Sequence, residues 1–244
     1  MSYIERLVVN DESKSTILYD EHIVRYRFVT AFVAGKTVLD IACGSGYGAA
    51  LLAKAGGKVT GIDLDLEALT EAKKNYGSAV TFLQGDAATI PLADSSIDIA
   101  VSFETIEHIT DYVKFVQELK RVIKDDGLVF ISTPNKIVFG QKNPFHVKEF
   151  NKEEFSELLN SYFSFVKIFE QKNGSASVII GNNGSQLNVE DSESEALYFI
   201  AVCSKQEINN AFASAASINI KAFERRENNP GWKLVNAVYR IFKH

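Results

Sequence analysis

Four acids stand at the ends of four apolar runs: Asp40 in Val38-Leu-Asp-Ile41, Asp63 closing Lys58-Val-Thr-Gly-Ile, Asp86 after Val80-Thr-Phe-Leu-Gln-Gly, and Glu104 after Ile97-Asp-Ile-Ala-Val-Ser-Phe103. Asp40 lies just before a glycine turn, Gly44-Ser-Gly46-Tyr-Gly-Ala49, where Gly44 and Gly46 allow a sharp bend and a close approach of backbone to ligand. The glycine spacing also satisfies the G-x-G-x-x-A pattern of dinucleotide sites. Asp40 separates the two readings, because a carboxylate there would oppose a pyrophosphate but suits a ligand carrying an ammonium and a sulfonium. Asp63 follows Asp40 at close to the ~20-residue offset at which an acid meets a ribose, and a carboxylate can accept from both ribose hydroxyls.

A second set of residues could move a proton. Glu104-Thr-Ile-Glu107-His108 directly follows the fourth apolar run, and Asn143-Pro-Phe-His146-Val-Lys-Glu149 follows the fifth. An alcohol is a poor nucleophile while protonated, so transfer to a hydroxyl calls for a base, and His146, His108 and Glu104 are the candidates.

These residues need elements to hold them. Apolar runs and glycine signals predict strands over 37–42, 58–63, 80–86, 97–103, 127–133, 164–172 and 196–204. Helices are predicted over 19–33, 46–55, 65–76, 111–123 and 152–162. Alternating strands and helices imply a doubly wound α/β sheet, and acids ending successive strands place one crevice at its carboxyl edge. Residues 173–195, rich in Asn, Ser and Gly, read as an excursion over the substrate side or a plain solvated loop. Residues 206–244 form a tail in which Trp232, Val235, Val238, Tyr239 and Phe242 recur at helical spacing.

The segment Val38-Leu-Asp-Ile-Ala-Cys-Gly-Ser-Gly-Tyr-Gly-Ala resembles motif I of the class I S-adenosylmethionine (SAM) dependent methyltransferases. The resemblance implies a Rossmann-like fold of seven mostly parallel strands with an antiparallel edge strand. It implies cofactor contacts at Asp40, Ala42, Gly44, Gly46, Asp63, Leu64, Asp86, Ala87 and Phe103. The predicted N-terminal helix would add His22, Arg25 and Tyr26 as a lid, or would simply pack on the sheet. Glu-x-x-Glu-His also resembles the site of ubiquinone-pathway O-methyltransferases and small-RNA 2′-O-methyltransferases. By that resemblance Glu104, Glu107, His108 and His146 would bind a divalent metal (Mg, Mn or Zn); without a metal, His146 would act as the base. The set of motifs from Glu21-His22 to Phe145-His-Val-Lys-Glu149 is similar to bacterial enzymes associated with surface-polysaccharide assembly. The implied activity is O-methyl transfer to a sugar, glycan or similar small polar acceptor. The alternatives are RNA 2′-O-methyl transfer, polyprenyl-phenol O-methyl transfer, an NAD-type oxidoreductase and an inactive SAM-binding regulator.

Composition sets the outer bounds. The 244 residues are 46% hydrophobic and 23% charged, ordinary values for one globular domain. The expected division is a lid over 1–35, a SAM-binding domain over 36–205 and a basic tail beyond. Residues 221–244 carry a net +4, leaving −9 on the remainder of a chain whose total is −5. The acidic body argues against DNA and disfavours RNA, while the basic, aromatic tail would suit an anionic membrane surface or a protein partner. Two unclustered cysteines, no signal-like N-terminus and no long apolar run lead to a cytoplasmic expectation, with peripheral contact at the inner membrane face.

Overall fold

The computed structural model describes residues 17–140, 143–173, 177–181 and 195–208. The elements are α1 Ile17–Thr30, β1 Thr37–Ile41, α2 Tyr47–Lys54, β2 Lys58–Asp63, α3 Leu66–Tyr76, β3 Thr81–Gln84 and β4 Ile97–Ser102. A 3-10 turn Ile106–His108 and α4 Tyr112–Val122 follow, then β5 Ile123–Pro134, α5 Lys136–Phe139, α6 Lys152–Asn160, β6 Phe165–Asn173, β7 Ser177–Gly181 and β8 Tyr198–Ser204. The basic tail beyond residue 208 and most of the excursion at 173–195 lie outside the described residues.

One sheet runs in the order β3-β2-β1-β4-β5-β8-β6-β7. Its first five strands are mutually parallel, and β8, β6 and β7 join by antiparallel pairing. The seven expected strands and the antiparallel section are present, and β7 adds an eighth strand at the edge. That short strand falls inside the Asn- and Ser-rich excursion, whose polarity hid it. The four-residue α5 also escaped notice, wedged between Pro134 and Gly140 and capped by the Asn135 side chain on the Ile137 N–H. The chain leaves β1 outward to β3 and returns to β4, so a crevice opens at the carboxyl ends of β1 and β4.

Strand alternation sorts the core onto two faces. Val38 joins Phe28, Val29, Leu52 and Leu69 under α1, α2 and α3, whereas Leu39 and Ile41 join Phe115, Leu119, Phe155 and Leu159 under α4 and α6. Asp40 shares the parity of Val38 and therefore points toward α1. Among the described residues no helix is long and apolar enough to cross a membrane.

Candidate active site

A cleft of about 1550 Å³ opens at the carboxyl edge. Its first wall is the glycine turn, where Ala42 and Gly44 both take left-handed backbone conformations (φ 59° and 54°). Gly46 (φ 81°) turns the other way: a Cβ there would lie 2.7 Å from the Phe82 ring. Packing against β3 requires that glycine, and it is not part of the cleft wall. Asp63 braces the turn, its Oδ2 accepting the Gly44 N–H at 2.7 Å and its Oδ1 the Asp65 N–H at 2.9 Å. Asp63 also stands in the wall beside exposed Leu64, and Asp86 and Ala87 continue it.

Asp40 lies behind this wall, fully buried, and the Tyr26 hydroxyl donates to its carboxylate at 3.1 and 3.4 Å from the two oxygens. Burial, opposed by that hydrogen bond and reinforced by the nearby charge of Asp63, pushes Asp40 up to about 7. The Tyr26 ring lies edge-on to Phe103 at 5.0 Å and to Tyr47 at 5.8 Å, and all three rings line the cleft. Aromatic rings of this kind attract onium groups. His22 reaches the wall too, 3.1 Å from the Tyr47 hydroxyl, and burial and then Arg25 push its pKa well down. Tyr47 was not singled out in the sequence; its signal was an aromatic residue inserted between two turn glycines. Arg25 lies away from the cofactor wall, fully buried over the Tyr198 ring at 4.5 Å and donating to Gln171 Oε1 at 2.9 Å.

The opposite wall carries the acid–histidine group. The backbone oxygen of Glu107 accepts the N–H groups of Val147 (2.8 Å) and Lys148 (3.2 Å), which ties the loop after β5 to the turn after β4. His108 and His146 therefore meet edge-on at 4.8 Å. Glu107, His108 and His146 each offer a ligand atom within 4.8 Å of the others. Glu107 is fully buried; its Oε2 accepts from the Thr133 hydroxyl at 3.3 Å, and its Oε1 has no hydrogen-bond partner among the described residues. Glu104 stands outside that trio. It takes a left-handed conformation (φ 52°), and its carboxylate accepts from the Ser132 hydroxyl at 2.9 Å. Burial pushes both glutamates up, with Arg25 opposing the shift at Glu104 and the Glu104 charge adding to it at Glu107.

The hydrogen-bond network assigns the His146 tautomer. Asn143 Oδ1 accepts the Phe145 N–H at 3.0 Å, so its amide NH₂ faces His146 Nε2, also at 3.0 Å. Nε2 then carries the lone pair, and Nδ1–H donates to buried Glu149 Oε1 at 2.8 Å. The sequence alone assigns Glu149 no role; its i, i+3 spacing from His146 is the available signal. Around this group the wall is apolar, formed by Pro134, Val138, Phe139, Pro144, Phe145 and Tyr198. Among the described residues, no Lys or Arg lines the cleft.

A methyltransferase domain family matches residues 39–131. A probable S-adenosylmethionine-dependent methyltransferase of Mycolicibacterium smegmatis is 38% identical over 148 residues, covering 59% of this chain and 57% of that protein. A ubiquinone biosynthesis O-methyltransferase of Paraburkholderia phymatum is 38% identical over 127 residues, covering 50% and 55% respectively. The chain thus spans little more than half the length of these curated relatives. A SAM-dependent methyltransferase structure from Thermotoga maritima superposes with a TM-score of 0.62 at 19% identity, covering 80% of this chain and 94% of that one, a likeness of fold. Residues 39–131 thus match a methyltransferase domain family, and the chain is similar to S-adenosylmethionine-dependent methyltransferases over that region.

Proposed function

We propose that the whole chain is a SAM-dependent O-methyltransferase whose acceptor is an uncharged, hydroxyl-bearing ring. The observation that carries this reading is the His146–Glu149 pair set in an apolar wall free of Lys and Arg among the described residues. Bound SAM supplies a methyl group already activated on a sulfonium. The chain's own work is then to orient the acceptor and remove its proton. Asp63 and Asp86 offer carboxylate oxygens to the ribose and adenine, and Tyr26, Tyr47 and Phe103 surround the charged end. His146 takes the acceptor proton at Nε2 once the Asn143 amide that donates to that atom turns away, while Glu149 holds Nδ1–H and balances the imidazolium formed.

A divalent metal fits the same corner. Glu107, His108 and His146 would hold it, with Glu104 next to them, and the orphaned buried Glu107 Oε1 is the atom such an ion would satisfy. Its chemistry there would be to lower the pKa of an acceptor hydroxyl. Mg, Mn or Zn suits a mixed carboxylate–imidazole set.

The glycan acceptor expected from the sequence is one ring of this class, its C–H face suited to Phe139 and Tyr198; a phenol is another. The relatives named for ubiquinone biosynthesis support transfer to oxygen. A phosphate-rich RNA would meet acids and no Lys or Arg on the described wall, which disfavours that alternative. Contact of residues 221–244 with a membrane, and a cytoplasmic setting, are proposed on sequence grounds alone.

The test follows S-adenosylhomocysteine formation with catechol, a neutral hexoside, a sugar phosphate and an RNA oligonucleotide, each with and without EDTA. Turnover with a neutral probe is expected. A phenol, with a pKa near 10, should lose its proton to His146 unaided, so EDTA should affect the hexoside far more. Turnover restricted to the sugar phosphate or RNA would overturn the reading.

A further inference from the structure

We infer that Asp40 does not meet the cofactor directly but acts through Tyr26, whose hydroxyl oxygen is the atom presented to the cofactor's ammonium end. This rests on the reading that the cleft binds SAM. Asp40 is fully buried and absent from the cleft wall, whereas Tyr26 lies in that wall. Strand parity aims Asp40 at α1, and the two residues meet over a hydrogen bond spanning both carboxylate oxygens. The Ala49 N–H near the start of α2 lies on the same side and favours the charged form of the Asp40 carboxylate. Its acceptor sites therefore face protein groups and not the open cleft.

Tyr26 is held as tightly as its partner. Gly48 is the surface it rests on, and a Cβ at Gly48 would overlap the Tyr26 ring. Phe103 and Tyr47 fix the ring from two other directions. A phenol whose proton is directed into a carboxylate has its oxygen lone pairs turned the other way, and the donated bond makes that oxygen more negative. Asp40 is thus a positioning residue: it orients the Tyr26 hydroxyl and polarises it, and the oxygen facing the cleft accepts from a cation. The glycine at position 48 has a second reason to be there, beyond the bend of the turn. It keeps the slot that admits the ring.

A double-mutant cycle tests this with the full chain. SAM is titrated calorimetrically into wild type, Asp40→Asn, Tyr26→Phe and the double variant, with each checked for a cooperative thermal transition. Each single change should weaken SAM by roughly ten- to 150-fold, the range of a lost hydrogen bond to a charged group. The double variant should match Tyr26→Phe alone, because Asp40 has no route to the ligand once the hydroxyl is gone. Multiplicative losses would overturn the inference by showing that Asp40 contacts the ligand independently. Gly48→Ala is the second arm, displacing the ring with every acid left intact. It should reproduce the Tyr26→Phe loss even if Asp40→Asn fails to fold. A folded Gly48→Ala variant with wild-type SAM affinity would also overturn it. Failure of wild type to bind SAM would instead remove the reading on which the inference rests.

Discussion

Replacing His146 with alanine should lower turnover roughly 10²–10⁴-fold and leave SAM affinity nearly unchanged. The ring lines the cleft with Phe139 and Tyr198, and its Nε2 is its basic atom, covered by the Asn143 amide in the unliganded protein. Loss of the ring removes proton acceptance in the transition state and, where a metal is bound, one of its ligands as well. The contacts proposed for the cofactor at Asp63, Asp86 and Tyr26 are left intact. Paired measurements of kcat with a neutral probe acceptor and of SAM binding by calorimetry separate the two effects. A fall in SAM affinity comparable to the fall in kcat would move His146 into the cofactor site and out of the proposed role.

Asp40→Asn should stabilise the unliganded protein at alkaline pH while weakening its hold on SAM. Burial raises the Asp40 pKa from 3.8 to about 7, so the carboxyl resists ionisation in the folded state more than in the unfolded chain. For a raised carboxyl, the stabilising difference is fully present below the unfolded value near 4. It is lost progressively as pH rises through the folded value near 7. Three pKa units correspond to about 4 kcal/mol at the order-of-magnitude level. Asparagine keeps an oxygen for the Tyr26 hydroxyl and never ionises. Thermal melts of the two proteins should therefore coincide near pH 4, separate progressively between pH 4 and 7 with the variant melting higher, and keep a constant gap above pH 7. Equal melting temperatures at pH 8 would show that Asp40 ionises without cost. Because SAM brings positive charge beside Tyr26, wild-type binding should tighten over the same pH window, and the variant should lose that dependence.

Much of this site was legible because it is written locally. The glycine turn, the acids closing four strands and the Glu-x-x-Glu-His run each occupy a few consecutive residues, and parallel topology brings them to one edge. What escaped depends on packing between distant segments. Nothing near Asp40 in sequence reveals that Tyr26 fills the space in front of it, or that Gly48 is small to admit that ring. Gly46 looked like a ligand contact, but the Phe82 side chain from β3 occupies its open side. Arg25, one residue from Tyr26, follows the helix around to Gln171 and Tyr198 on strands reached only late in the chain. Glu104 carries the expected motif position, but Ser132 on the neighbouring strand takes its carboxylate and leaves Glu107 as the acid beside both histidines. The sheet itself was readable from periodicity except for β7, where five residues in a polar segment give too short a pattern to register.

The central claim is that this cleft holds SAM by an onium-compatible wall and not a dinucleotide by its phosphates. Its most direct test is a calorimetric titration of the full chain with SAM, S-adenosylhomocysteine and NAD under one set of conditions. The expected result is saturable one-to-one binding of SAM and S-adenosylhomocysteine, with no heat beyond dilution from NAD. Saturable binding of NAD, or no binding of either SAM or its demethylated product, would contradict it.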